Sequence, residues 1–116
     1  MKPLVLIVED DAAIRESLRD LLSDEGYRVA EAANGAEALV TLGKERPALI
    51  LLDLWMPVMT GGQLYTHLRD NPEWAKIPVV VVTAANDPAP SADLEILRKP
   101  LRLEELLSTL KKYLKK

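Results

Sequence analysis

Residues 4–11 read LVLIVEDD, a short apolar run followed at once by three acidic residues. Two later runs resemble it: ALILL at 48–52, followed by Asp53, and IPVVVV at 77–82, followed by Thr83. Short β-branched runs without polar alternation are typical of strands that are covered on both faces, as in a parallel sheet. The sequence therefore predicts three buried parallel strands, each leading into a polar residue.

Segments with helical periodicity separate these strands. Apolar residues recur at helical spacing in four places, at residues 12–25, 35–45, 61 to about 71, and from about 102 onward. Two weaker strands are expected at 27–32 and 94–98. This alternation of strands and helices predicts a doubly wound α/β sheet with right-handed crossovers.

Length and composition limit the possible functions. A chain of 116 residues has the size of one domain, so residues 1–116 are expected to form a single domain. The absence of cysteine excludes disulfides and thiolate metal sites. With a net charge of −3, no long basic run and no long apolar span, we expect a cytoplasmic protein without direct nucleic-acid binding or membrane insertion.

Polar residues fall at the ends of the predicted strands. Three acids, Glu9, Asp10 and Asp11, sit immediately after the first strand, and Asp53 sits immediately after the third. Thr83 closes the fourth strand and Lys99 closes the fifth. Ligands of a doubly wound sheet bind beyond the carboxyl ends of its strands, so these groups converge if their strands are neighbours. Clustered carboxylates raise one another's pKa values, and a hard cation such as Mg²⁺ or Mn²⁺ relieves that repulsion. A lysine beside them suits phosphate oxygens.

Asp11 is the third acid of the first cluster. It lies at the start of the first predicted helix, where an aspartate caps free backbone N–H groups. A capping role is therefore expected for Asp11, while the residues alone leave open which two of the acids at 9–11 would bind a metal.

The strand-end residues resemble the receiver domain of two-component response regulators. The resemblance runs from Leu4 to about Leu114 and rests on four motifs in order, VEDD at 8–11, DLWMP at 53–57 with Gly61, TA at 83–84 and KP at 99–100. It implies a flavodoxin-like, five-stranded parallel sheet with strand order 2-1-3-4-5. It also implies a cis peptide bond between Lys99 and Pro100, although only about 5–6% of X–Pro bonds are cis.

The resemblance assigns a role to each matching residue. Asp53 would be the phosphoacceptor nucleophile. Glu9, Asp10, Asp53 and the backbone carbonyl of Trp55 would bind Mg²⁺ or Mn²⁺.

Two further residues would contact the phosphoryl group, because Thr83 and Lys99 match the family positions that bind its oxygens. The implied function is a phosphoacceptor signalling module. Its phosphoryl donor would be a histidine kinase or a histidine phosphotransfer protein, and it would switch an unknown downstream effector. Such a module is not an enzyme beyond its own phosphorylation and dephosphorylation.

The segment between the fourth and fifth strands departs from the family. Residues 84–93 are barely enough for a crossover, which needs roughly ten or more residues. Pro88 and Pro90 disfavour helix at the residues that precede them. We therefore expect the fourth family helix to be missing or reduced to about one turn. Ile96 stands where the family has an aromatic switch residue, three positions before the lysine.

Two other functions remain open at this point. A receiver-like interaction module that acts without phosphorylation is suggested by the short crossover and by Ile96. A flavin-binding flavodoxin-like protein would share the fold, but its phosphate loop should be rich in Ser, Thr and Gly. The acids at 9–11 would instead repel a phosphate.

Overall fold

A computed structural model describes residues 2–53, 61–83 and 95–114 of the chain. Strands and helices alternate along it as the sequence predicts. The elements are β1 (Leu4–Val8), α1 (Ala12–Asp24), β2 (Arg28–Ala32), α2 (Gly35–Lys44), β3 (Leu49–Asp53), α3 (Gly61–Asp70), β4 (Val79–Thr83), β5 (Glu95–Arg98) and α4 (Leu103–Leu114).

The five strands form one parallel sheet in the order β2-β1-β3-β4-β5. This order confirms the predicted doubly wound topology. Val8 pairs with Leu52, and Asp53 pairs with Val82. The carboxyl ends of β1, β3 and β4 are therefore level, and the residues that end these strands lie at one edge of the sheet.

Alternate residues of each central strand pack into separate cores on the two faces of the sheet. Val5 and Ile7 pack with α1 and α4, whereas Leu6 and Val8 pack with α2 and α3. Side chains point alternately to opposite faces of a strand, and both faces are covered by helices here. Every residue of β1 and β3 is buried, which explains why β1 is apolar throughout and why β3 is apolar up to its last residue, Asp53.

The first helix begins and ends at residues that the sequence marks. The Asp11 side chain accepts a hydrogen bond of 3.0 Å from the backbone N–H of Ile14, which confirms its predicted capping role. Gly26 follows the helix with a φ of 92°, a left-handed conformation that costs glycine little. The cap places Glu9 and Asp10 in the short connection between β1 and α1.

Some predicted boundaries are wrong by one or two residues. Asp53 is the last residue of β3 rather than the first residue after it. β4 begins at Val79 rather than at residue 77, because Pro78 has no N–H to donate to the sheet. The Pro78 carbonyl still accepts a hydrogen bond of 3.0 Å from the N–H of Ile50.

The prediction of a missing or one-turn fourth family helix falls on residues that lie outside the described ranges. Within the described ranges, no helix has the length and apolar character that a membrane crossing requires.

Candidate functional site

Three carboxylates meet at the carboxyl edge of the sheet. One oxygen each from Glu9, Asp10 and Asp53 can be chosen so that all three lie within 4.8 Å of one another. Glu9 and Asp53 are buried, with 3% and 7% of their surface exposed, whereas Asp10 is exposed. The level ends of β1 and β3 produce this arrangement, because each strand delivers its acid to the same edge.

Lys99 supplies a cation to this cluster. Its Nζ atom lies 3.4 Å from Glu9 Oε1 and 3.7 Å from Asp53 Oδ2. Its backbone N–H donates a 2.8 Å hydrogen bond to the carbonyl of Thr83, which ties the segment after β5 to the end of β4. The Lys99–Pro100 peptide bond is cis, as the resemblance implied. The structure thus brings this residue to the predicted edge.

Thr83 ends β4 and is 1% exposed. Its neighbour Val82 pairs with Asp53, so the threonine lies one position beyond the level of the aspartate. Trp55, whose carbonyl was predicted to bind the metal, lies outside the described residues.

Burial and crowding shift the ionisation of the site. Burial, which removes water from the carboxyl group, is the main reason that the pKa of Glu9 rises from 4.5 to about 7, and a hydrogen bond with Asp53 is the second. The hydrogen bond that Glu9 accepts from the Asp11 N–H lowers this pKa but does not cancel the rise. For Lys99, burial lowers the pKa, but the charges of Asp53 and Glu9 outweigh burial and raise it above 10.5. The site is therefore short of positive charge.

A divalent cation fits this donor set. All three side chains offer oxygen ligands, which Mg²⁺ and Mn²⁺ prefer, and the exposed Asp10 leaves a side open to the waters that Mg²⁺ retains. The cation would also supply the positive charge that Lys99 alone does not provide. Glu9, Asp10 and Asp53 are the described residues that could hold it.

Sequence reasoning missed one pair of residues beside the site. The Arg15 side chain donates a 2.8 Å hydrogen bond to the backbone carbonyl of Glu9 and also contacts Glu31 on β2. The sequence shows that Arg15 lies four residues after the helix cap, Asp11, and so near the acids. It does not show the contact itself, because a hydrogen bond to a backbone carbonyl does not depend on the type of residue that carries the carbonyl.

The sequence model of the response regulator receiver domain matches residues 5–111. The chain belongs to this family. The response regulator MprA of Mycobacterium ulcerans is 37% identical to this receiver domain over an alignment that covers 100% of the chain and 52% of that relative. The receiver domain therefore spans about half the length of the curated relatives it matches.

Solved structures share the fold of this receiver domain. The chemotaxis protein CheY4 of Vibrio cholerae has a TM-score of 0.89 and 35% identity, with 98% of this chain and 100% of that chain covered. The receiver domain of sensor histidine kinase PA1611 from Pseudomonas aeruginosa has a TM-score of 0.89 and 24% identity, with both chains fully covered. That second protein has a magnesium ion coordinated in its active-site cleft.

Proposed function

We propose that this receiver domain accepts a phosphoryl group on Asp53 from a phosphohistidine of a histidine kinase or of a histidine phosphotransfer protein. An Asp53 carboxylate oxygen forms the new bond to phosphorus while the bond between phosphorus and the histidine nitrogen breaks. The histidine leaves with the electron pair of that bond, and an aspartyl phosphate remains. Hydrolysis of that phosphate by water returns the carboxylate and releases inorganic phosphate.

One observation carries this proposal. Asp53 lies at the edge of the sheet with the Lys99 ammonium 3.7 Å from its Oδ2 atom and the Glu9 and Asp10 carboxylates beside it. A nucleophilic carboxylate next to a fixed cation and a cation-binding acid pair is the arrangement that phosphoryl transfer requires, since its catalysis consists mainly of positioning and charge stabilisation. A buried aspartate that served only to stabilise the fold would need a cation such as Lys99, but not two further carboxylates that repel it.

Glu9, Asp10 and Asp53 would hold Mg²⁺ or Mn²⁺, together with the backbone carbonyl of Trp55 that the resemblance implies. The bound cation would supply charge stabilisation for the phosphoryl oxygens. Lys99 meets the same need from the protein side, because its ammonium is a point charge suited to a phosphoryl oxygen.

Phosphorylation changes the charge that the site must balance. The single negative charge of Asp53 becomes about −2 on the phosphoryl oxygens. Thr83 is a buried hydroxyl at the end of the adjacent strand and is our candidate for a donor that turns toward these oxygens. Its movement would carry the signal to a downstream effector. This route would not involve an aromatic switch residue, because position 96 is an isoleucine.

A groove next to the site offers a surface for the phosphoryl donor. Apolar side chains of α1, including Ile14 and Leu18, and the segment 99–101 line a groove of about 380 Å³. Ile14 is 38% exposed, so its apolar side chain is accessible to a partner at this groove. An amphipathic helix of the donor, carrying its phosphohistidine, could place its apolar face in this groove.

The experiment that tests the proposal uses acetyl phosphate, a small phosphoryl donor, with Mg²⁺. Intact-mass spectrometry should show a gain of about 80 Da, the mass of one phosphoryl group. The gain should disappear in Asp53→Ala and persist in Asp70→Ala, since Asp70 is an exposed aspartate at the far end of α3. EDTA should also abolish it.

Two results would contradict the proposal. A wild-type chain that gains no mass under these conditions would favour an interaction module that works without phosphorylation. A gain that persists in Asp53→Ala would move the phosphoacceptor to another residue.

A further inference from the structure

We propose that Arg15 is a positioning residue, which fixes the main chain at Glu9 so that the acid pair is held ready for a divalent cation. This inference rests on the metal site of the proposed function. It assigns a task to a basic residue that none of the motifs for the site includes.

Arg15 connects three elements next to the cluster. One terminal guanidinium nitrogen, Nη1, donates a 2.8 Å hydrogen bond to the Glu9 carbonyl oxygen. The Nε atom lies 3.3 Å from Glu31 Oε1, near the end of β2. The side chains of Arg15 and Glu31 are 17% and 28% exposed, so this contact is largely sheltered from solvent. Arg15 itself belongs to α1, so the guanidinium joins α1, β2 and the end of β1.

The Glu9 backbone has one anchor in the sheet and one outside it. Its N–H donates a 3.0 Å hydrogen bond to the carbonyl of Ala32, which continues the pairing of β1 with β2. Its own carbonyl lies past the end of β1 and accepts the hydrogen bond from Arg15. With both peptide groups held, the Cα–Cβ direction of Glu9 and the path into Asp10 are restrained, and the Glu9 carboxylate is held in turn by the Asp11 N–H and Lys99 Nζ. The planar guanidinium suits this double contact, because its donors are held in a rigid fork.

The charge of Arg15 and its positioning role have opposite effects on the affinity of the site for a cation. A guanidinium near a cation site repels the cation, so Coulomb's law alone predicts that removing this charge tightens metal binding. A positioning role predicts the opposite, because a loosened Glu9 has to be ordered again when the metal binds. The sign of the change in affinity therefore separates the two roles.

The experiment measures Mn²⁺ affinity by electron paramagnetic resonance, in which the signal of free Mn²⁺ falls as it binds. Arg15→Met should weaken binding about tenfold, the lower end of the range for residues that orient metal ligands. Arg15→Lys keeps the charge but loses the fork, and it should also bind more weakly than wild type. Retained affinity in Arg15→Lys beside a loss in Arg15→Met would still support positioning, through the one hydrogen bond that an ammonium can donate to the Glu9 carbonyl, because charge repulsion cannot produce that loss.

Arg19 provides the matched control. It lies one turn further along α1 and contacts the same Glu31, with Nη1 at 3.3 Å from Oε2, while its other contact is the neighbouring Asp20. Arg19→Met therefore removes the same charge and the same partner without touching Glu9. Its Mn²⁺ affinity should stay at the wild-type value or rise slightly. An equal loss in Arg19→Met and Arg15→Met would assign the effect to Glu31 or to helix stability, against the proposal.

Two further results decide the outcome. Thermal unfolding in EDTA should show both arginine variants folded at the assay temperature, with similar stability losses and different Mn²⁺ affinities. If wild type binds Mn²⁺ and Arg15→Met binds it equally well or more tightly, the positioning role is wrong and the proposed function stands. If wild type itself binds no Mn²⁺, the metal site of the proposed function fails, and this inference fails with it.

Discussion

The two ends of the same sheet hold ion pairs of opposite character. At the amino end, Arg28 Nη2 lies 2.7 Å from Glu45 Oε2, and the two side chains are 44% and 47% exposed. At the carboxyl end, Lys99 Nζ lies 3.4 Å from Glu9 Oε1, but the Glu9 side chain is only 4% exposed. The shorter contact is in solvent, and the longer one is largely buried.

This comparison shows that burial, more than distance, decides what an ion pair contributes. Arg28 and Glu45 border an open cavity of about 620 Å³, where water screens them, and exposed pairs of this kind contribute roughly 0–1 kcal/mol. At the carboxyl end the carboxylates have lost much of their hydration, so each interaction there is stronger and each unpaired charge is more costly. The carboxyl end, where three carboxylates surround the single ammonium of Lys99, is therefore the end suited to bind a cation or a phosphoryl group.

The largest expected effect is a pH dependence of folding that arises at the carboxyl end. The pKa of Glu9 is about 7 in the folded protein, compared with an ordinary value of 4.5. Between pH 4.5 and pH 7, Glu9 is therefore protonated in the metal-free folded state but ionised in the unfolded state. Stability therefore falls as pH rises from about 5 to about 8, by roughly 2–3 kcal/mol for this group. Urea unfolding in EDTA across that range measures the change.

Glu9→Gln is the control for this prediction, because glutamine does not titrate and should flatten the profile. Saturating Mg²⁺ should also flatten it, since the cation replaces the proton and stabilises the folded state by mass action. The hydrogen bond from Lys112 lowers the pKa of Glu95 below 4.5. The stability that Glu95 contributes therefore changes with pH only below about pH 4.5, outside the range of this experiment. A wild-type profile that rises with pH would contradict the predicted proton on Glu9.

The next effect compares the two ends directly. Lys99→Met leaves the buried carboxylates without their cation and should lower the free energy of unfolding by about 2 kcal/mol in EDTA at pH 8. The cost stays below that of a fully buried pair because Lys99 is one-third exposed. Arg28→Met, the same kind of change at the exposed end, should cost less than about 1 kcal/mol. Equal losses in urea unfolding would show that burial does not separate the two pairs.

The smallest effect distinguishes Asp11 from its acidic neighbours. Asp11→Ala removes the cap of α1 and should cost about 1 kcal/mol in urea unfolding, whereas Asp11→Asn keeps an oxygen that can accept the Ile14 N–H. Both variants lose the same charge, so both should weaken Mn²⁺ binding by the same small factor. A large loss of Mn²⁺ binding in both would make Asp11 a metal ligand and would contradict the assignment of Glu9 and Asp10.

Most of the fold was predictable because its signals are local. Unbroken apolar runs such as Leu4–Val8 indicate strands buried on both faces, and Asp11 and Gly26 mark the ends of α1 through backbone requirements that act within a few residues. Pro78 shifted the start of β4 for an equally local reason that the length of the apolar run concealed.

The residues of the site were predictable as strand-end positions, but their distances were not. The alternation of elements implied one sheet, and the resemblance supplied the strand order that brings Glu9, Asp53 and Lys99 to one edge. The raised pKa of Glu9 depends on how deeply that edge is buried, which a sequence does not state.

The amino-acid sequence indicated the five strands, with their ends correct to within one or two residues, and the residue that caps the first helix, because these features depend on periodicity and on backbone groups a few positions away. The contacts of Arg15 with the carbonyl of Glu9 and with the Glu31 carboxylate could be found only in the folded protein. These contacts join a helix, a strand end and a neighbouring strand. Their existence depends on how the elements pack in three dimensions, and no spacing along the chain encodes it.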